Sequence, residues 1–401
     1  MTYSYATHAS CPKCKTTYSI EEIQQLCSCG SPLLIKYDLH KLKKNWDRDK
    51  LGSRTNSLWR YHELLPIKEE KNIVTQGEGM TPLLHLEKLG ERLDLSHLYM
   101  KDEGIIPTGS FKARGAAVGI SKAKELGIQK LAMPTNGNAG AAWAMYATKA
   151  GIETTIVMPL DAPLVTRKES VFAGADVILV NGLISDAGKI VKNLVEEKGY
   201  YDASTLKEPY RIEGKKTMGL ELLEQLNWQT PDVILYPTGG GVGLIGIYKA
   251  LQELYELGWI EGSMPRLVAV QAEGCSPIVK AWQENKMEST FWEDSKTNAF
   301  GINVPKAIGD FLVLEAIYES NGCAISVSEE NIQSLQREIA TLEGAFICPE
   351  GAATFVAAKK LREEGWIGGD EKVICLNTGL GIKYADLISE EPLTILEPSE
   401  H

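Results

Sequence analysis

From Gly77 onward, short apolar runs alternate with amphipathic helical stretches, and no other feature restricts the possible folds as much. The runs at 130–133, 154–158, 176–180, 233–236, 267–271 and 373–376 are continuous rather than every-other-residue. A strand covered on both faces reads this way, because both of its faces must be apolar. Helical patterns fill the gaps at 113–126, 139–150, 186–198, 217–226, 244–257, 330–341 and 352–364. Asp186 reads as an N-cap, while Gly127, Gly151, Gly199, Gly258 and Gly365 each sit just past a helical pattern. Alternation of this kind predicts an α/β fold with mainly parallel sheets. The segment 128–180 is a compact βαβαβ run with short connections, as expected of a smaller lobe inserted in a larger one.

The chain has 401 residues, enough for two or three folding units. Its 42 Lys+Arg against 53 Asp+Glu give a net charge of −11, which argues against a nucleic-acid or acidic-membrane surface. No run approaches the ~18–20 apolar residues of a membrane span. The start, Met1 to His8, has neither the basic flank nor the apolar segment of a signal peptide. A cytoplasmic enzyme is the expectation.

Eight cysteines fall into two sets. Cys11-x2-Cys14 and Cys27-x-Cys29 are two tight thiolate pairs joined by a short loop, a spacing that suits tetrahedral Zn²⁺. An unoccupied ribbon and a disulfide pair are the other readings, the latter disfavoured in a reducing compartment. Cys275, Cys323, Cys348 and Cys375 are scattered among apolar residues and read as buried free thiols.

Three loops carry chemistry. Gly239-Gly240-Gly241-Val242-Gly243 lies between a strand and a helix, where backbone N–H groups and the helix N-terminus favour an anion such as phosphate. Gly241-x-Gly243-x-x-Gly246 also satisfies a dinucleotide fingerprint, so an NAD-dependent dehydrogenase stays open at this point. The second loop, Pro107-Thr-Gly-Ser-Phe-Lys112, places a lysine at a helix start. A positive helix end disfavours the ammonium form, as a nucleophilic amine requires. Most single lysines are merely solvated charges, but few follow a Gly-Ser-Phe run like this one. The third loop is Thr135-Asn136-Gly137-Asn138-Ala139-Gly140.

Together the loops resemble the fold type II pyridoxal-phosphate enzymes. Pro107–Lys112 resembles that family's lysine signature, 135–140 its asparagine loop and 239–243 its cofactor-phosphate site. Leu376-Asn377-Thr378-Gly379 resembles the segment that meets the pyridine nitrogen. The resemblance runs from about Gly77 to Lys383 and displaces most of the NAD reading. It implies a tryptophan synthase β-like fold of two open, mainly parallel α/β lobes. Expected boundaries are 1–37 for a small four-cysteine, zinc-ribbon-like segment, 38–75 for a linker or helical arm, 76–112 and 182–401 for the large lobe, and 113–181 for the small lobe. Within the family, Gly77-Glu-Gly-Met-Thr-Pro-Leu83 and Tyr210-Arg-Ile-Glu-Gly-Lys-Lys-Thr217 are most similar to the threonine synthases, some of which carry an N-terminal Cys ribbon.

The resemblance implies pyridoxal 5'-phosphate held by Lys112 as a Schiff base, with Asn138 at the ring hydroxyl and Thr378 at the ring nitrogen. Gly239, Gly240, Gly241, Val242 and Gly243 would hold the cofactor phosphate. Ser110, Thr135, Ala139 and Gly140 would meet the substrate carboxylate. Arg211 with Lys215 or Lys216 would meet a substrate phosphate, since guanidinium matches phosphate oxygens bidentately. The implied substrate is O-phosphohomoserine, and a homodimer is implied. Ala113 stands where the synthase pattern has Asp, closer to dehydratases and racemases. The alternatives are therefore a threonine or serine ammonia-lyase, a racemase, and β-replacement on phosphoserine.

Overall fold

The structure is a computed structural model describing residues 3–388 and 394–395. The Cys-bearing start forms β1 (Ala6–Ser10), β2 (Thr17–Tyr18) and β3 (Leu34–Tyr37), an antiparallel sheet ordered β2-β1-β3. Next comes α1 (Leu39–Asn45), whose first turn is capped by the Asp38 carboxylate accepting the Lys41 N–H at 2.9 Å. Then follow β4 (Leu83–His85), α2 (Glu87–Leu93), β5 (His97–Asp102) and α3 (Lys112–Glu125). A run of β6 (Lys130–Pro134), α4 (Asn138–Ala150), β7 (Glu153–Pro159), α5 (Leu164–Phe172), β8 (Asp176–Val180), α6 (Ile184–Lys198) and β9 (Tyr201–Asp202) makes the smaller unit. The rest is α7 (Arg211–Gln225), β10 (Val233–Pro237), α8 (Val242–Leu257), β11 (Arg266–Ala272), α9 (Pro277–Gln283), α10 (Asp310–Glu319), β12 (Cys323–Val327), α11 (Glu329–Glu343), α12 (Pro349–Glu363) and β13 (Lys372–Asn377).

The larger sheet is ordered β12-β11-β10-β13-β5-β4 and is parallel except for the short edge strand β4. The smaller is β8-β7-β6-β9, all parallel. All six continuous apolar runs are strands, as two-sided cover requires, although the edge strand β8 stays part-exposed. The smaller sheet takes its other edge strand, β9, from beyond residue 181, because α6 returns the chain to pair Leu131 with Tyr201. Asp186 is not the N-cap of α6: the helix starts two residues earlier, and the Asp186 carboxylate accepts the Leu183 N–H at 3.0 Å. Among the described residues, no helix is long and apolar enough to cross a membrane.

Segment 38–75 is packed against the body rather than strung between domains. Leu42, Leu51, Leu58, Tyr61, Leu64, Leu65 and Ile67 are all buried. The indole of Trp59 donates to Glu78 at 2.9 Å, and Arg60 pairs with Glu224 of α7 at 2.7 Å. Its apolar residues close the outer face of helices that would otherwise be wet.

Those helices are unusually charged for their depth. Every residue of α7 from Arg211 to Leu223 is buried. Charges at such depth persist only when paired. Arg114 of α3 lies between two acids, its Nε 2.6 Å from Glu103 and its Nη1 2.6 Å from Glu221. Lys101 joins the group, 3.2 Å from Glu221 and 2.6 Å from the Thr81 carbonyl. A second cluster holds Lys216 between Glu213 at 2.6 Å and Glu253 at 2.8 Å, with Tyr37 donating to Glu213 at 2.8 Å. These clusters fix the faces of α3 and α7 that meet, and α3 begins at Lys112.

Candidate active site

Parallel strands send their carboxyl ends to one side of a sheet, and loops there form clefts. Here β5, β6, β10 and β13 each end at one of the loops singled out above. β10 runs into Gly239–Gly243, β13 into Thr378, β6 into Thr135–Asn138, and β5 toward Lys112. The four loops share a cavity of about 360 Å³. Sequence separation of more than 200 residues is thus erased by topology alone.

Lys112 opens α3 with its Nζ 4.1 Å from the Phe111 ring centroid. Burial lowers its amine to about 8, with the Arg211 charge acting in the same direction and Glu350 and Cys348 opposing. The lysine loop is stitched to the last strand: Phe111 N–H donates to the Thr378 carbonyl at 3.0 Å and Leu380 N–H to the Gly109 carbonyl at 2.9 Å. Lys215 Nζ lies on the same Phe111 ring at 4.1 Å and donates to the Phe111 carbonyl. Burial and the neighbouring charges of Lys112 and Arg211 push the Lys215 amine well down, with Glu103 opposing. It is a buried amine facing the reacting region.

Thr135 shapes the asparagine loop, its hydroxyl accepting from Gly137 N–H at 3.0 Å and Gly140 N–H at 3.2 Å. Asn138 starts α4 and donates through Nδ2 to the Tyr384 hydroxyl at 3.0 Å. The glycine loop makes a cradle that side chains would fill. A Cβ on Gly239 would lie 2.7 Å from the Gly301 carbonyl, and one on Gly243 would lie 1.9 Å from the Tyr236 hydroxyl. Gly241 takes φ +76°, which an L side chain resists. Behind it α8 supplies 16 residues of helix with the first N–H groups unsatisfied, as an anion requires.

Three buried polar atoms at this cavity lack partners: Asn138 Oδ1, the Tyr236 hydroxyl and Glu350 Oε2. Orphans gathered in one place, beside a phosphate-shaped cradle and a lowered amine, fit a polar, phosphorylated aldehyde cofactor such as pyridoxal phosphate. Basic side chains dominate the lining: Lys112, Lys207, Arg211, Lys215 and Lys306, against Glu350 as the one acid among the described lining residues. Lys207, Arg211 and Lys306 are paired with Asp202, Glu208 and Asp310, which leaves Lys112 and Lys215 as the two basic groups an incoming anion could engage.

Of the residues expected in the site, Lys112, Thr135, Asn138, Ala139, Arg211, Lys215, the glycine loop and Thr378 line this cavity. Ser110 and Gly140 stand behind it, Ser110 bridged through its backbone to Gly379. Arg211 is engaged already, with Nε 3.3 Å from Glu208, Nη1 3.1 Å from Thr205 Oγ1, and its guanidinium over the Trp143 ring at 4.7 Å. Lys216 points away into the Glu213–Glu253 cluster and is not available to the cavity. Glu350 and Tyr384 line the site without having been expected there, since isolated residues far from the loops carry no spacing signal. Cys348, read as a filler, is buried but also lines the cavity, its Sγ 3.7 Å from Thr378 Oγ1.

Residues 74–379 match the family described as "Pyridoxal-phosphate dependent enzyme". The chain belongs to that family. Among its curated relatives is the threonine synthase of Methanocaldococcus jannaschii, 37% identical over 96% of both chains. The threonine synthase of Methanosarcina acetivorans is also 37% identical, over 98% of this chain and 94% of that one. That of Halalkalibacterium halodurans is 33% identical over 82% of this chain and 90% of that one. Among solved structures, maize serine racemase superposes with a TM-score of 0.65 at 22% identity, covering 75% of this chain and 88% of that chain. A serine racemase from Dictyostelium discoideum gives 0.61 at 23% identity, over 75% and 92%. These two likenesses carry the fold, which is the fold type II architecture of this family.

Outside the cavity, the N-terminal thiols converge. Cys11, Cys14, Cys27 and Cys29 have sulfurs all within 4.8 Å of one another, with Cys11–Cys29 at 3.6 Å and Cys14–Cys27 at 3.4 Å. Four sulfurs about 2.3 Å from one Zn²⁺ have edges of about 3.8 Å, while a disulfide needs about 2.05 Å. The Tyr18 hydroxyl donates to Cys27 Sγ at 3.2 Å, the kind of outer contact that orients a thiolate ligand.

Proposed function

We propose that this chain is a pyridoxal-phosphate-dependent lyase with threonine synthase activity, converting O-phospho-L-homoserine and water to L-threonine and phosphate. The observation that carries this is similarity to threonine synthases along the whole chain, 37% identity over 96% of both chains in the Methanocaldococcus jannaschii case. It includes the Cys-bearing start as well as the catalytic body.

The cofactor, when bound, supplies an electron sink that acidifies the Cα–H of an attached amino acid. In this reading Lys112 holds it and afterwards carries the Cα proton. Its lowered amine and its place at the wall of the cavity support both roles. Gly239–Gly243 hold the cofactor phosphate, Asn138 the ring oxygen and Thr378 the ring nitrogen. Thr135 and Ala139 orient the substrate carboxylate, with Gly140 holding the Thr135 hydroxyl and Ser110 bracing the lysine loop from behind. Lys215 and Arg211 receive the substrate's γ-phosphate. Lys215 is the better placed of the two for a new anion, because the Arg211 charge is already shared with Glu208. An anion beside Lys215 would favour its ammonium form, with the proton taken from solvent, and that charge would offset the negative charge that builds on the leaving phosphate.

Ala113 keeps an elimination reading open, so the assay must separate products. Purified protein with pyridoxal phosphate is given O-phosphohomoserine, O-phosphoserine, serine or threonine in parallel. Phosphate and threonine from the first are expected. A 2-oxo acid or a D-amino acid from serine or threonine, with no turnover of O-phosphohomoserine, would replace this reading by the ammonia-lyase or racemase. Phosphate released from O-phosphoserine only when a nucleophile such as sulfide is added, with the substituted amino acid as the product in place of a 2-oxo acid, would indicate β-replacement.

We further infer that Cys11, Cys14, Cys27 and Cys29 hold one structural Zn²⁺. Elemental analysis is expected to find one zinc per chain, and Cys14→Ser to lose it together with several degrees of melting temperature. Zinc-free protein with unchanged melting would overturn the assignment. A homodimer and a cytoplasmic location complete the reading; light scattering giving a single chain mass would refute the dimer.

A further inference from the structure

Glu350 and Tyr384 have no part in the reading above, yet both line the cavity and both are 3% exposed. Glu350 sits in the first turn of α12, where an acid is favoured by the helix end alone. That explains a carboxylate at the position but not its burial or its partners. Glu350 Oε1 accepts from Tyr384 Oη at 2.7 Å and from Gly301 N–H at 2.6 Å. Tyr384 in turn lies 3.0 Å from Asn138 Nδ2. Three side chains from α12, the C-terminal turn and α4 therefore form one chain, buried at Glu350 and Tyr384 and half-buried at Asn138, and it joins the two lobes.

The polarity of this chain is set by chemistry. A carboxylate only accepts, so the Tyr384 O–H must donate to Glu350. The Tyr384 oxygen is then left as an acceptor and takes an N–H from Asn138. An amide is otherwise free to turn over, exchanging a donor for an acceptor at nearly the same position. Burial holds the Tyr384 proton in place by pushing its acidity far out of reach, with Glu350 adding to the effect. The outcome is one amide orientation, with Oδ1 unpartnered and buried at the cavity.

We propose that Glu350, acting through Tyr384, is a positioning residue that locks the Asn138 amide in one orientation, with Nδ2 on Tyr384 and Oδ1 offered as the acceptor for the hydroxyl form of the cofactor ring oxygen. The proposal rests on the cofactor-binding reading of Asn138 and goes beyond it. It requires the two lobes to be in register for the ring contact to form, because Asn138 comes from one and its anchors from the other.

The test is a double-mutant cycle read by pyridoxal phosphate affinity and by the absorbance spectrum of the bound cofactor at one fixed pH. Binding with a visible band by the unaltered protein establishes the underlying reading, and its absence would sink that reading on its own. Tyr384→Phe keeps the ring and removes the hydroxyl. It is expected to weaken binding roughly tenfold, the size of one hydrogen bond, and to redistribute intensity between the near-ultraviolet and visible bands. Asn138→Ala should do the same, and adding Tyr384→Phe to it should change neither readout further. Glu350→Gln, which can donate as well as accept, should give an intermediate spectrum in otherwise unaltered protein. Additive effects of Asn138→Ala and Tyr384→Phe, or a Tyr384→Phe spectrum and affinity within twofold of the unaltered protein, would overturn the proposal.

Discussion

Lys112→Ala is expected to lower turnover by roughly 10³-fold or more, since one amine both holds the cofactor and moves the proton. Borohydride should fix pyridoxal phosphate to the Lys112 peptide in the unaltered protein and leave the variant unlabelled. The lowered amine, at about 8, adds a pH signature. A lysine attacks only when neutral, so labelling of the cofactor-free protein by an amine reagent should rise about tenfold per pH unit below 8 and level off above it. Exposed lysines should still be climbing there, toward about 10.4. Retained turnover, or a labelling profile at Lys112 that follows the exposed lysines, would remove this residue from its role.

The second large effect concerns stability. Arg114→Met should cost roughly 3–5 kcal/mol, because it leaves Glu103 and Glu221 buried without their shared cation. Burial would raise the Glu221 carboxyl, but Arg114 and Lys101 overcome it and hold it at about 2. A carboxyl held below its unfolded value stabilises the fold above the unfolded pKa, and the contribution fades as pH falls through the folded one. Without Arg114 that contribution is lost at neutral pH, so the gap between variant and parent should narrow below about pH 4, where the unfolded chain also takes up the proton. Urea unfolding at pH 7 and pH 3 measures both. A gap under 1 kcal/mol at pH 7, or one that widens in acid, would contradict the account. Combining Arg114→Met with Glu103→Gln should recover part of the loss, as Glu221 then keeps Lys101 as its partner and no acid is left unpaired.

Legibility in the sequence tracked how local the signal was. Continuous apolar runs gave away six parallel strands, because covering both faces of a strand leaves no room for alternation. β5 escaped notice because His97, Lys101 and Asp102 interrupt its apolar pattern; Lys101 is nonetheless buried by its tie to Glu221. The loops were legible as motifs, since glycines, the leading lysine and the asparagine turn each need neighbours at fixed spacing. Segment 38–75 looked like a polar arm, yet its apolar residues fill the outer face of α7 and α8, a tertiary fact with no period of its own. Charge on α7 misled in the same way. Lys215 and Lys216 are adjacent in sequence, but successive helix positions differ by about 100°. One therefore faces the cavity and the other a buried acid pair. Glu350 and Tyr384 had no local mark at all.

Those placements converge on one claim, that phosphate leaves by cleavage at carbon and water then adds to the neighbouring position. Turnover of O-phosphohomoserine in ¹⁸O-water tests it most directly. The account predicts phosphate and threonine in equal amounts, with the label in the threonine hydroxyl and none in the released phosphate. Labelled phosphate with homoserine as the product would mean attack at phosphorus, and would contradict it.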